Sequence, residues 1–122
     1  MILVDTSVWI EYLRSGDESL VTLLNGSRVM MHPFILGDLA CGNLSQRAEL
    51  LALFKDLRQA TVARDDEVLF FIDRHALMGR GIGYVDAHLL ASVSLDEGAQ
   101  LWTRDKRLHA LAEVLKMAYA PA

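Results

Sequence analysis

Ile2-Leu3-Val4-Asp5-Thr6-Ser7 joins an uninterrupted apolar run to an acid and two hydroxyl side chains. Consecutive apolar residues with no in/out alternation read as a strand buried on both faces, while Asp, Thr and Ser are the residues that cap a helix. Working outward, similar runs recur at Val29-Met30-Met31, Ala60-Thr61-Val62, Leu101-Trp102 and Met117-Ala118-Tyr119. Apolar spacings between them predict helices over 7–14, 18–25, 34–41, 46–57, 66–78, 84–95 and 105–115. Short buried strands alternating with helices imply a three-layer α/β sandwich around a mainly parallel sheet. The glycine cluster at 79–83 reads as a turn between two helices. It follows a helix, so it is no dinucleotide fingerprint, and no Gly-rich loop ending in Lys-Ser or Lys-Thr marks a nucleotide triphosphate site.

The 122 residues are 52% hydrophobic and 23% charged, which suits one domain, over residues 1–122, with a core that needs no metal or disulfide staple. No uncharged run exceeds nine residues, against the roughly 20 that a membrane-spanning helix requires. No basic leader precedes Asp5, so a cytoplasmic protein is expected. Cys41, the sole cysteine, excludes an internal disulfide and a multi-cysteine zinc site, and reads as a small buried hydrophobe. A net charge of −4 and a pI near 5.5 disfavour non-specific nucleic-acid coating, yet the same acids could sit in one cation-binding pocket.

Four acids stand in places that matter. In an open parallel sheet ligands gather beyond the carboxyl ends of the strands, which is where Asp5 and Asp105 fall, although each equally suits helix capping. Asp38 shares helical spacing with Phe34, Ile35 and Cys41, which puts it on an apolar face. Asp86 is in line with Leu89, Leu90 and Val93, and near enough to its helix start to serve the dipole instead. A carboxylate on a buried stripe costs several kcal/mol unless it is paired, protonated or bound to metal. Two carboxylates about 4 Å apart repel by roughly 4 kcal/mol at an effective dielectric near 20, so four together require a cation. Oxygen donors without cysteine favour Mg²⁺ or Mn²⁺. Such an ion activates water and neutralises the departing oxygen of a phosphodiester. His32, His75, His88 and His109 show no ligand spacing and read as packing or surface residues. Arg80, Arg104, Lys106 and Arg107 flank two of the acids and offset phosphate charge locally, or simply solvate helix ends.

The motifs Ile2-Leu3-Val4-Asp5-Thr6-Ser7-Val8-Trp9-Ile10, His32-Pro33-Phe34-Ile35-Leu36-Gly37-Asp38, Gly83-Tyr84-Val85-Asp86-Ala87-His88 and Leu101-Trp102-Thr103-Arg104-Asp105, in this order and nearly end to end, resemble a PIN-domain ribonuclease of the VapC toxin type. The resemblance implies a twisted parallel sheet of four or five strands, a Mg²⁺ or Mn²⁺ cofactor and cleavage of single-stranded RNA. It further implies inhibition by a VapB-type antitoxin and a homodimer. By motif position Asp5, Asp38, Asp86 and Asp105 form the acidic quartet, with Thr103, Thr6 and Ser7 positioning water or ligand. Of the bases that flank the acids, Arg80 and Arg104 are expected to bind RNA. The family usually carries Glu where this chain has Asp38, one methylene shorter, which weakens direct metal contact there.

Two other classes compete. A phosphorelay receiver has similar length and an acidic pocket, but it needs an acidic pair after its first strand and a Lys after its last, and this chain has neither. A non-catalytic PIN-like interaction module accounts for Asp38, and Trp9, Tyr12 and Leu13 would then offer a groove to a partner helix, against the plainer alternative of core packing.

Overall fold

The computed structural model describes residues 1–121. The strands β1 (Ile2–Val4), β2 (Val29–Met31), β3 (Arg58–Gln59) and β4 (Gln100–Trp102) form one sheet in the order β3-β2-β1-β4, with every pairing parallel. In register, Ile2 stands opposite Val29 and Gln100, and Val4 stands opposite Trp102. All of β1 and β2 is buried, as their unbroken apolar runs require.

Helices α1 (Thr6–Ser15) and α2 (Glu18–Asn25) connect β1 to β2, α3 (Pro33–Ala40) and α4 (Arg47–Asp56) connect β2 to β3, and α5 (Asp65–Arg74) and α6 (Tyr84–Ser94) connect β3 to β4, which α7 (Lys106–Val114) follows. The chain moves outward from β1 to β3, then returns to the other side of β1. Right-handed crossovers therefore put the first group of helices on one face and α5 and α6 on the other. The contacts agree: α1 meets α3 and α3 meets α4, whereas α5 meets α6. The reversal leaves a crevice between the carboxyl ends of β1 and β4, the position where open α/β sheets bind ligands.

The core settles several expectations. Helix α6 is buried from Ala87 to Val93, so it is a central helix. Trp9 is a core residue, edge-on to Tyr12 at 5.9 Å and to Phe54 at 5.1 Å between ring centroids, and the packing alternative holds for it. Cys41 is exposed, because α3 buries the stripe of Ile35 and Leu39 and Cys41, at its C-cap, falls outside that stripe. The third strand lies at 58–59 rather than 60–62. Ala60 still donates to the Met31 carbonyl, but the amide and hydroxyl of Thr61 both turn to the Asp96 carboxylate, at 3.0 and 2.7 Å, and lead the chain off the sheet. The 117–119 run makes a single parallel bridge, Leu101 to Ala118, in place of a fifth strand. The fifth helix stops at Arg74, not 78, since Ala76 takes a left-handed φ of 52°. Among the described residues no helix is long and apolar enough to cross a membrane.

Candidate functional site

Asp5 follows β1 directly and caps α1, its Oδ1 accepting the Thr6 amide at 2.8 Å. Its Oδ2 accepts two hydroxyls, from Thr103 at 2.7 Å and from Ser7 at 3.0 Å. Thr103 leaves the end of β4, so its bond to Asp5 spans the crevice between β1 and the neighbouring edge strand. Ser7 also accepts the Arg104 amide at 3.0 Å, and Thr103 accepts the Asp105 amide at 3.1 Å. Asp105 in turn caps α7, its Oδ1 accepting from Arg107 at 2.9 Å and Leu108 at 3.0 Å. The capping readings of Asp5 and Asp105 are thus correct, and capping is also what brings the two acids to one place.

Asp38 reaches the same crevice from α3, its Oδ2 accepting the Thr6 hydroxyl at 3.2 Å. It does not lie on the apolar face. The residue is exposed, one position away from the Ile35 and Leu39 stripe, and borders an open groove of about 370 Å³ that Ile10, Leu13, Arg14 and Leu39 help to line. Asp86 is half-buried in the first turn of α6, beyond Gly83, which contributes no capping side chain. Burial raises its pKa, and the charges of Asp5, Asp105 and, more weakly, Asp38 push the same way, while the Gly83 backbone amide opposes them. Four acids spread over a hundred residues therefore share one electrostatic neighbourhood.

Among the described residues none of the four makes an ion pair with Lys or Arg. Nor, among them, are any three His, Cys, Asp or Glu side chains grouped tightly enough to hold an ion between them. This donor set is oxygen-only, negative and open. It fits a divalent cation that keeps several waters, as Mg²⁺ does, rather than a closed zinc cage.

The two arginines read as nucleic-acid contacts are less available than their positions imply. The Arg104 guanidinium pairs with Asp17 at 3.2 Å, and Arg80 donates to the Ala76 carbonyl at 3.4 Å. His32, expected only to pack or lie at the surface, is fully buried and caps α3, with Nδ1 accepting the Phe34 amide at 3.1 Å and Nε2 meeting Ser92 Oγ of α6 at 3.1 Å. The signal was present: His-Pro between an apolar strand and a helix puts a side-chain acceptor at the cap and Pro at the first helical position.

The PIN domain family profile matches residues 2–114. Ribonuclease VapC32 of Mycobacterium tuberculosis is 54% identical over 110 residues, spanning 90% of this chain and 89% of that protein. Two solved structures share the fold. FitAcB from Neisseria gonorrhoeae superposes with a TM-score of 0.61 at 20% identity, over 93% of this chain and 94% of that one. PAE2754 from Pyrobaculum aerophilum gives 0.64 at 18%, over 97% and 87%. With a family match over nearly its whole length and a relative identical at more than half of the aligned positions, the chain belongs to the PIN domain family, in its VapC group.

Proposed function

We propose that this protein is a Mg²⁺- or Mn²⁺-dependent endoribonuclease toxin that cuts single-stranded regions of cellular RNA. In this reading it acts in the cytoplasm as a homodimer and is restrained by a VapB-type antitoxin. One observation supports the reading above others: Asp5, Asp38 and Asp105 are linked by hydrogen bonds at the β1/β4 crevice, Asp86 feels the charge of all three, and among the described residues none of the four is ion-paired with Lys or Arg. The name of the mycobacterial relative supports the ribonuclease activity.

The four carboxylates would attract the cation and hold it partly through its retained waters, and when bound it would supply an activated water and neutralise charge on the departing oxygen. Asp5 is the orienting centre. Three donors fix both of its oxygens, so it meets a ligand without rearranging. Thr103 and Ser7 hold Asp5 from β4 and α1, and Thr6 holds Asp38. No side chain of the crevice needs to act as a covalent nucleophile, because the substrate is opened by water.

The test is cleavage of single-stranded RNA by the purified chain, freed of any partner, with Mg²⁺ or Mn²⁺ and then with chelator. Metal-dependent cutting that chelator abolishes supports the reading. Absence of both metal binding and cleavage ends it. The exposed Asp38, one methylene short, favours a second reading in which the pocket is weakened and the protein serves as an interaction module.

A further inference from the structure

An acidic crevice on a chain of net charge −4 repels a polyanion, so a strand of RNA needs a cation at the rim. Arg104 is neutralised by Asp17 and Arg80 is turned to the Ala76 carbonyl. Arg107 differs from both. Among the described residues its guanidinium has no ion pair and no side-chain hydrogen bond, and the residue is exposed. Its side chain crosses the backbone of the 79–83 turn. A Cβ built on Gly81 would stand 2.7 Å from Arg107 Cδ, 3.0 Å from Nη1 and 3.2 Å from Nε. Gly81 also has φ +84°, the left-handed region that favours glycine, while the exposed Arg107 side chain could swing aside from an added Cβ.

The position of this cation follows from its two supports. Gly81 lies in the lead-in to α6, five residues before Asp86, and Arg107 lies in the first turn of α7, where its own amide is bound to Asp105 Oδ1. The guanidinium thus bridges the segments that deliver two of the four acids. With no protein partner to give up among the described residues, the guanidinium is free to take a ligand, and its planar fork matches the paired oxygens of a phosphodiester.

We propose that Arg107, held over Gly81, is a phosphate contact for the RNA strand entering the acidic crevice. The assignment rests on the ribonuclease reading and adds a substrate contact to it.

The experiment is the salt dependence of binding to a single-stranded RNA oligonucleotide, in chelator so that the strand stays whole, for wild type, Arg107→Gln and Arg58→Gln. Arg58 lies on the far edge strand and serves as the charge control. Loss of one phosphate contact lowers the slope of log K against log salt by about 0.7, which shrinks the wild-type advantage nearly threefold from about 50 to about 200 mM salt. That change in Arg107→Gln alone is expected. An unchanged slope, or an equal change in Arg58→Gln, overturns the assignment. Gly81→Ala displaces the guanidinium while keeping its charge, and added to Arg107→Gln it should weaken binding no further. An additive loss overturns the placement of the guanidinium over Gly81. Should Gly81→Ala fail to fold, the Arg107→Gln slope decides. Wild-type protein that neither binds nor cuts RNA would sink the ribonuclease reading itself, whereas binding with an unaltered slope sinks only the role of Arg107.

Discussion

Thr103 donates its hydroxyl to Asp5 at 2.7 Å across 98 residues of sequence, and accepts the Asp105 amide with the same oxygen. One buried hydroxyl thus ties together two acids that the topology would otherwise only bring near each other. It works because Val4 and Trp102 are in register, so the residues that leave β1 and β4 leave side by side.

Thr103→Val keeps the shape and removes both bonds. It is expected to lower stability by about 1–2 kcal/mol, the worth of two hydrogen bonds to partly buried partners. RNA cleavage should fall by about tenfold or more as Asp5 loses its fixed orientation. Thr103→Ser should recover most of both. Thermal melts and single-turnover cleavage check the pair, and a fully active Thr103→Val would remove Thr103 from the positioning set.

Asp86 carries a conflict between fold and function. Its carboxyl, raised by burial and then by Asp5 and Asp105, is a folded-state group whose ionised form is disfavoured. Such a carboxyl adds stability at low pH and loses it as pH rises through its elevated value, so at neutral pH ionised Asp86 destabilises the metal-free protein. Asp86→Asn should therefore raise Tm by a few degrees in chelator, abolish the further rise that Mn²⁺ gives wild type, and eliminate cleavage. A lower Tm in chelator would show that Asp86 serves the fold.

Much of this crevice is legible in the amino-acid sequence, and what is not has identifiable physical causes. The β1–Asp5 and β4–Thr103–Asp105 junctions announce themselves because an apolar run, a cap and a helix are local features. The reach of Asp38 was misread because a spacing of three or four from Phe34 and Ile35 does not say which side of α3 meets the sheet; Ile35 and Leu39 take that role. The β3 register was lost to Asp96, 35 residues away from Thr61, and the pairing of Arg104 with Asp17 spans 87. Partners that distant are chosen by the assembled fold and leave no pattern in either segment.

Asp38→Glu tests the pocket where it departs from its family. Position 38 is exposed, so the exchange should change stability by no more than about 0.5 kcal/mol. The added methylene lengthens a side chain that, among the described residues, only the Thr6 hydroxyl holds. If the crevice is catalytic in kind and weakened in degree, cleavage should rise about tenfold, equivalent to about 1.4 kcal/mol of transition-state stabilisation, with tighter Mn²⁺ binding. Unchanged cleavage and metal affinity in Asp38→Glu would favour the interaction module.

His32 gives the fold an acid limit. Its pKa is lowered to about 4, by burial first and by neighbouring His88 second. Its Nδ1 is an acceptor for the Phe34 amide, which leaves Nε2–H to donate to Ser92, and Ser92 Oγ accepts the Ala63 amide as well. The neutral ring thus ties the cap of α3 to α6, and a proton on Nδ1 would break the cap. Because the unfolded chain takes up that proton near pH 6.5 and the folded chain only near 4, stability is complete above 6.5 and falls as pH drops toward 4, by about 1.4 kcal/mol per unit. His32→Asn retains a capping oxygen while removing the titrating ring, so its stability should be lower at neutral pH yet flatter between pH 6.5 and 4. Denaturant titrations across that range decide it: a variant with the wild-type slope would show that the acid sensitivity resides in another group.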